Sequence, residues 1–330
     1  MKDFNWAGQR ACRAVVAALA LVAASGAALA QQYPSRNIIK IVSPAPPGGS
    51  TDLIARQVQP PLQELLKQTV IVEAHGGAGG YIGAQYVAKA PADGYTLLIS
   101  GAFVGISALL HKTPAYDVRN DLVPVGTFAS VPNMVVVGPR LKDDSIAELI
   151  ADAKARPGKI DMASNGVGTT IHLAGELFQI RSGVKFTHVP YRGWADAVAA
   201  LTGGETDIMF DNASTAVPSI KAGKTRALAI AGPRRYAPLP DVPTLAEAGV
   251  KDAEVVSWFG MMVPRGTPPD VIAALDKAFG EIAKTDAFKE GIEKQGYDVT
   301  YLDAKASQAF WNNEIDKWSA VVKAANIPVE

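Results

Sequence analysis

The sequence holds one cysteine in 330 residues, four histidines and no excess of either charge. A lone cysteine cannot build a disulfide framework, and the scattered His75, His111, His172 and His188 show no zinc-ligand spacing. Lys and Arg number 32, as do Asp and Glu, so the basic excess that neutralises nucleic-acid phosphates is missing and nucleic acid is not an expected partner. Charged residues make up only 19% against 48% hydrophobic, which rules out disorder as the general state and leaves ample material for a core. Past residue 30 no apolar run approaches the ~20 residues of a membrane-spanning helix. Neither a G-x-S-x-G nucleophile elbow nor a P-loop occurs. The length suits two ordinary domains or one large one.

What is present begins with an export pattern. Lys2, Arg10 and Arg13 precede an apolar run from Ala14 to Ala24, and Ala28-Leu29-Ala30 offers a small-x-small cleavage site. Together these read as a signal peptide over 1–30. The alternative, a membrane anchor, needs an apolar run about twice as long as the one that ends at Ser25-Gly26. Cleavage after Ala30 removes three bases, one acid and Cys12, leaving a thiol-free chain of 300 residues with a net charge of −2. The expectation is a soluble, exported, monomeric protein that needs no metal and no cofactor.

The rest alternates β-branched runs with helical patterns. Ile38–Val42, Thr69–Glu73 and Thr96–Ser100 read as strands, with helices over Asp52–Lys67 and Tyr81–Lys89 between them. In the first helix Leu53, Ile54, Val58, Leu62, Leu65 and Leu66 are assigned to one side. Further on come strands Lys159–Ala163, Lys185–Val189, Thr206–Phe210 and Arg226–Ile230, alternating with helices Thr170–Arg181, Trp194–Leu201 and Ala213–Ala222. This alternation predicts α/β units with largely parallel sheets. Leu122–Val137 and Val255–Val263 break it as long extended runs, each able to pass from one sheet to another. Helices return over Pro268–Ile282, Asp286–Lys294 and Ala304–Ala325. The expected architecture is two α/β lobes joined by two crossover strands: residues 31–130 with 257–330 in one, 131–256 in the other. A single large sheet is the alternative.

Two Gly-rich turns, each between a strand and a helix, are the clearest site signal. One is Ser43-Pro44-Ala45-Pro46-Pro47-Gly48-Gly49-Ser50-Thr51-Asp52; the other is Ser164-Asn165-Gly166-Val167-Gly168-Thr169-Thr170-Ile171-His172. Free N–H groups and the macrodipole make a helix N-terminus a site for an anion. In parallel α/β lobes both turns fall at the carboxyl ends of strands, where ligands bind. Facing each other, they would hold one carboxylate without an arginine. The plainer reading is that these residues only cap helices. His172 stands where it could donate to an anion, whereas His188, before Pro190-Tyr191, reads as a structural histidine. Asp211 emerges at a strand end beside Asn212, either toward a cleft or as an Asx-type cap for the next helix. Gly76–Gly83 misses G-x-G-x-x-G by Ala78 and reads as a tight helix start, not a dinucleotide site.

With these residues assembled, the chain resembles the Bug, or TctC-like, substrate-binding proteins of tripartite tricarboxylate transporters. The resemblance runs from Tyr33-Pro34-Ser35 to the C-terminus. It includes Pro46-Pro47-Gly48-Gly49 with Asp52, Gly77-Ala78-Gly79-Gly80, Asp93-Gly94-Tyr95-Thr96 and Gly168-Thr169-Thr170 with His172. It continues through His188-Val189-Pro190-Tyr191, Met209-Phe210-Asp211-Asn212, Leu239-Pro240-Asp241-Val242-Pro243-Thr244 and Ser257-Trp258-Phe259-Gly260. The resemblance implies a type II periplasmic binding fold, a Venus flytrap closing on a small carboxylic acid and delivering it to separate membrane subunits. It implies carboxylate contacts from Gly48, Gly49 and Ser50 on one lobe and from Ser164, Thr169 and Thr170 on the other. Ala45, Pro47, Ser100, Phe103, Asn165, Gly168, His172, Tyr191 and Asp211 complete the expected ligand-binding set.

Three departures from the family pattern bear on the ligand. Ala45 replaces a usual aromatic, Glu73-Ala74-His75-Gly76 replaces Glu-Asn-Arg-Pro, and Phe103-Val104 replaces a Thr-His pair. Lost bulk at Ala45 and lost polarity at Val104 point to a more apolar distal pocket, open to a single-carboxylate, even aromatic, acid. The expected function is therefore non-catalytic periplasmic solute capture. A receptor serving a sensor kinase, and an exported hydrolase using His172 or His188 with a nearby serine, are the alternatives.

Overall fold

Isoleucine and valine alternate with helix-forming stretches between residues 38 and 100, and each run forms the element its period dictates. The computed structural model describes residues 33–35, 38–327 and 329; the signal-peptide reading and Cys12 lie outside the described residues. The chain divides into residues 1–36 and 37–330, and all elements below belong to the second unit. Strand β1 (Ile39–Ser43) leads to helix α1 (Ser50–Leu66), β2 (Val70–Ala74), α2 (Tyr81–Ala88), β3 (Thr96–Ser100) and α3 (Ala102–Leu109). Strand β4 (Leu122–Val137) follows, then α4 (Ile146–Ala155), β5 (Asp161–Ser164), α5 (Thr170–Ser182) and β6 (Thr187–Pro190). Next come α6 (Trp194–Gly203), β7 (Ile208–Asn212), α7 (Ala213–Lys221) and β8 (Arg226–Ala231). Strand β9 (Val256–Pro264), α8 (Pro269–Lys284), α9 (Asp286–Lys294), β10 (Asp298–Leu302) and α10 (Ala304–Ala324) complete the fold.

The fold is the two-lobed type II arrangement. In the first lobe the strand order is β2-β1-β3-β9-β4, with β10 pairing the same half of β4. In the second the order is β6-β5-β7-β4-β8. Each lobe thus sets three parallel strands beside one antiparallel strand that arrives from the other lobe. Strand β4 does this by pairing β9 over Leu122–Pro132 and then β7 and β8 over Asn133–Val137. Because β4 belongs to both sheets, eight strands connect in one hydrogen-bonded path, with β8 and β10 branching from β4. The return crossing is at Val255, whose N–H donates to Ala231 O and whose carbonyl accepts from Asn133 N–H before β9 begins.

Packing follows the apolar faces, with one exception. Ile54, Val58 and Leu62 of α1 are fully buried at i, i+4 and i+8, whereas Leu65 is 41% exposed, off the face the sequence assigned it. Helix α1 also runs through Pro60 and Pro61, two positions with no N–H to give the ladder. Phe128 meets Phe279 edge-on in the first lobe, and Phe178 stacks near Phe210 and Phe186 in the second. Helices α8 and α10 both pack on β4, and α10 also covers α3, so the C-terminal helices return to the first lobe.

Candidate functional site

Both Gly-rich turns sit at the ends of first-in-sheet strands, β1 and β5, and both open a helix. Gly48 (φ +87°) and Gly168 (φ +78°) take the left-handed conformation that lets the chain reverse before each helix. In α1 the first helical acceptor is Gly49 O, taken by Leu53 N–H at 3.0 Å; in α5 it is Thr169 O, taken by Leu173 N–H at 3.0 Å. The amides just ahead, on Ser50, Thr51, Thr170 and Ile171, have no helical acceptor, and all four residues line one cleft. The two helix ends therefore present donors and positive dipole ends to a shared space.

Hydroxyls and amides on the cleft floor tie the turns together. Asn212 Nδ2 donates to Ser50 Oγ at 3.0 Å, linking the second lobe to the first. Asn212 Oδ1 lies 2.9 Å from Ser257 Oγ, which is also 3.1 Å from Thr170 Oγ1 and 3.0 Å from Asn133 Oδ1. Asn133 is on β4 and Ser257 on β9, so the floor is built on both crossovers. The cleft encloses about 1020 Å³, the upper end of what sites for drug-sized ligands span.

Ten of the expected ligand-binding residues line this cleft: Ala45, Pro47, Gly48, Gly49, Ser50, Phe103, Asn165, Thr169, Thr170 and Tyr191. Asn165 Oδ1 is buried without a hydrogen-bond partner, and turning the amide over would aim its NH2 at the same point. Five others stand behind the wall. Ser100 is buried and donates to Gly260 O at 3.2 Å, so it secures the sheet instead of facing the cleft. Gly168 gives its N–H to His172 Nδ1 at 3.3 Å. His172 Nδ1 is therefore an acceptor that shapes the turn, its Nε2 lies 3.5 Å from Glu176 Oε1 and not at the cleft, and its ring stacks on His188 at 3.9 Å. Ser164 is fully buried with its Oγ 2.6 Å from His188 Nε2, which keeps that hydroxyl away from the cleft. His188 takes the structural role the sequence suggested, and burial, followed by the neighbouring His172 charge, pushes its pKa down to about 3.

Asp211 takes neither of its two expected roles: it does not line the cleft, and the helix that follows is N-capped at Asn212 without a side-chain hydrogen bond. It is buried and accepts from Asn212 N–H at 2.8 Å, Thr215 Oγ1 at 3.0 Å and Trp194 Nε1 at 3.1 Å. Burial raises its pKa to about 6 despite those three donors. Val104 is likewise buried, in the core under α3, so the expectation that its side chain shapes the distal pocket is overturned. Phe103, next to it, does line the cleft.

Several lining residues carried no assigned role in the sequence. Trp194, Arg192, Trp258 and Phe259 border the cleft, as do Gly76 to Gly80. Ser257, the one hydroxyl in the otherwise apolar start of β9, was the signal available for the floor; Asn212 needed the lobe pairing to become visible. Among the described residues no group of His, Cys, Asp or Glu is placed to hold a metal ion, and no helix is long and apolar enough to cross a membrane.

Residues 54–327 match the family described as "Tripartite tricarboxylate transporter family receptor". Protein BugT of Bordetella pertussis is 40% identical over 296 residues, covering 89% of this chain and 90% of that protein. The solved structure "R. palustris Rpa4515 with adipate" has a TM-score of 0.84 and 34% identity, covering 89% of this chain and 98% of that one. MatC (Rpa3494) from Rhodopseudomonas palustris, with bound malate, has a TM-score of 0.82 and 28% identity, covering 88% and 100%.

Proposed function

Because the chain belongs to the tripartite tricarboxylate transporter receptor family, we propose that it is a periplasmic solute receptor which closes on one small carboxylate and passes it to membrane transport subunits. The observation that carries this reading is the meeting of two helix N-termini, α1 and α5, over the Ser50–Asn212–Ser257–Thr170 floor. A hydrogen bond to a charged group contributes ~1.5–3 kcal/mol net. Three or four from opposed amides, less the costs of association, reach the roughly −8 kcal/mol of a micromolar complex. Adipate and malate in the two related structures support a carboxylate as the common ligand group.

The lobes hinge where β4 passes from Pro132 to Asn133 and where the chain returns at Val255, which supports moving bodies of 31–130 with 257–330 and of 131–256. The protein acts as a monomer, since a clamshell has to move freely. Binding favours the closed state only by its differential affinity for it.

Isothermal titration of the mature chain with carboxylic acids and their primary amides tests this reading. At least one acid binds in the micromolar range, its amide binds at least a hundredfold more weakly, and the acid is recovered chemically unchanged. Equal binding of acid and amide, or conversion of the acid, would overturn it.

A further inference from the structure

The cleft walls carry rings whose polar atoms are already committed. Trp194 Nε1 donates to both oxygens of buried Asp211, at 3.1 Å each. Trp258 Nε1 donates to Glu314 Oε2 at 2.9 Å. Both indoles border the cleft, so what they offer a ligand is carbon. Phe103 adds a third ring from α3, and its seat is built for it. A Cβ on Gly80 would lie 2.7 Å from Phe103 Cδ2, and one on Gly101 would lie 2.8 Å from its Cε1. Only glycine at both positions lets the ring lie there.

Charge on the lining points the same way. Among the described residues, Arg192 and Asp196 are the only ones lining the cleft with a full charge, one of each sign, and His111 is packed on Tyr81 at a ring distance of 4.0 Å. The helix ends can hold one carboxylate. A tricarboxylate would set its remaining two charges against ring carbon with a single guanidinium to offset them, and desolvating unpaired charge is costly.

We propose that the acid taken by this cleft is an aromatic carboxylate, its carboxylate at the α1 and α5 N-termini and its ring between Phe103 of one lobe and Trp194 of the other. This rests on the receptor reading above and names its ligand class. Aromatic rings attract each other beyond the area they bury, and Asp211, by fixing the Trp194 indole, is a positioning residue for the ligand's ring. The cleft volume of about 1020 Å³ exceeds what a four-carbon diacid fills.

The test is titration calorimetry on the mature chain with benzoate, 4-hydroxybenzoate and phenylacetate against adipate, malate and citrate. A ring acid binds at least tenfold tighter than any aliphatic acid. Trp194→Leu weakens ring-acid binding at least fivefold more than it weakens adipate binding, and Trp194→Phe restores most of the ring-acid loss because a ring returns. Circular dichroism establishes that each variant is folded; should Trp194→Leu not fold, Phe103→Leu carries the same expectation. An aliphatic acid that outbinds every ring acid, or equal losses for both classes in the variants, overturns the aromatic assignment and leaves the receptor reading standing. Binding of no acid at all overturns both.

Discussion

Asp52 and His172 occupy the same station in the two lobes: each accepts the N–H of the glycine four residues before it, Gly48 at 3.1 Å and Gly168 at 3.3 Å. One device is thus used twice, with a carboxylate on one side and an imidazole on the other. The bond pulls each left-handed glycine onto the first helical turn and fixes where the free amides point. A carboxylate beside an anion site is electrostatically adverse, and Arg56, 3.0 Å from Asp52, offsets it.

Replacing the acceptor separates geometry from charge. Asp52→Ala leaves Gly48 N–H without its partner, and loss of a cap-like contact costs ~1 kcal/mol, so ligand affinity falls about fivefold. Asp52→Asn keeps an acceptor and retains affinity within a factor of about two. Calorimetry on both variants checks the contrast; a larger loss for Asn than for Ala would count against it.

Closure has a steric gauge at Gly79. A Cβ there would lie 2.5 Å from Val167 O, a backbone atom of the opposite lobe, and φ is +64°. Gly79→Ala therefore holds the lobes apart. Expected are affinity at least tenfold lower and a radius of gyration that no longer contracts on ligand addition in small-angle scattering. The unliganded protein loses only ~1 kcal/mol of stability, from the left-handed backbone.

Removing the hydroxyl at Ser257 takes away the group on which Asn133, Thr170 and Asn212 converge. Its one hydrogen can serve one of the two amide carbonyls, and a buried carbonyl left short of its donor costs ~1–3 kcal/mol. Ser257→Ala lowers the unfolding free energy by that order in urea titration, and loosens ligand binding as well; an unchanged midpoint would show that the floor network is not holding the hinge.

The Asp211 carboxyl makes stability depend on pH. Burial keeps it protonated in the folded protein up to about pH 6, against an ordinary value of 3.8 in the unfolded chain. The folded state binds more protons in that window, so the group's contribution is complete below about 3.8 and lost as pH rises through 6, ~3 kcal/mol in all. Relative to Asp211→Asn, the parent gains stability as pH falls from about 6 to 4. His188 works oppositely: its pKa near 3 lies below the ordinary 6.5, so its contribution is lost as pH falls from 6.5 toward 3. Urea titrations of parent and variant at several pH values isolate the Asp211 component, since His188 is common to both.

Much of the fold is legible because the periods are clean: Leu122–Val137 has the bounds its sequence predicts, and so does Asp286–Lys294. Helix α3 is not, because Ala-Phe-Val-Gly-Ile-Ser-Ala-Leu is apolar on every side and has no period to read. Helix α4 carried a signal that went unused: Ser145 Oγ accepts from Glu148 N–H and Glu148 reaches back to Asp144 N–H, close to a capping box. Strand β10 is five residues long and pairs only the outer side of β4, so nothing in its surroundings enforces a strong pattern. At the site, glycines and hydroxyls announced the two turns, but Ser100 and His172 could not be sorted from true wall residues. Which way a strand-end or helix-start side chain faces depends on sheet twist, and composition does not encode it.

The traded strands carry a consequence for how this protein can be divided. Strand β4 lies partly in each sheet and β9 starts at the return crossing, so dividing the halves would break the chain inside β4 and at the start of β9, the two places that hold the sheets together. A new ligand preference is therefore to be reached by regrafting short loops at the rim, since exchanging whole halves between relatives would cut both places at once.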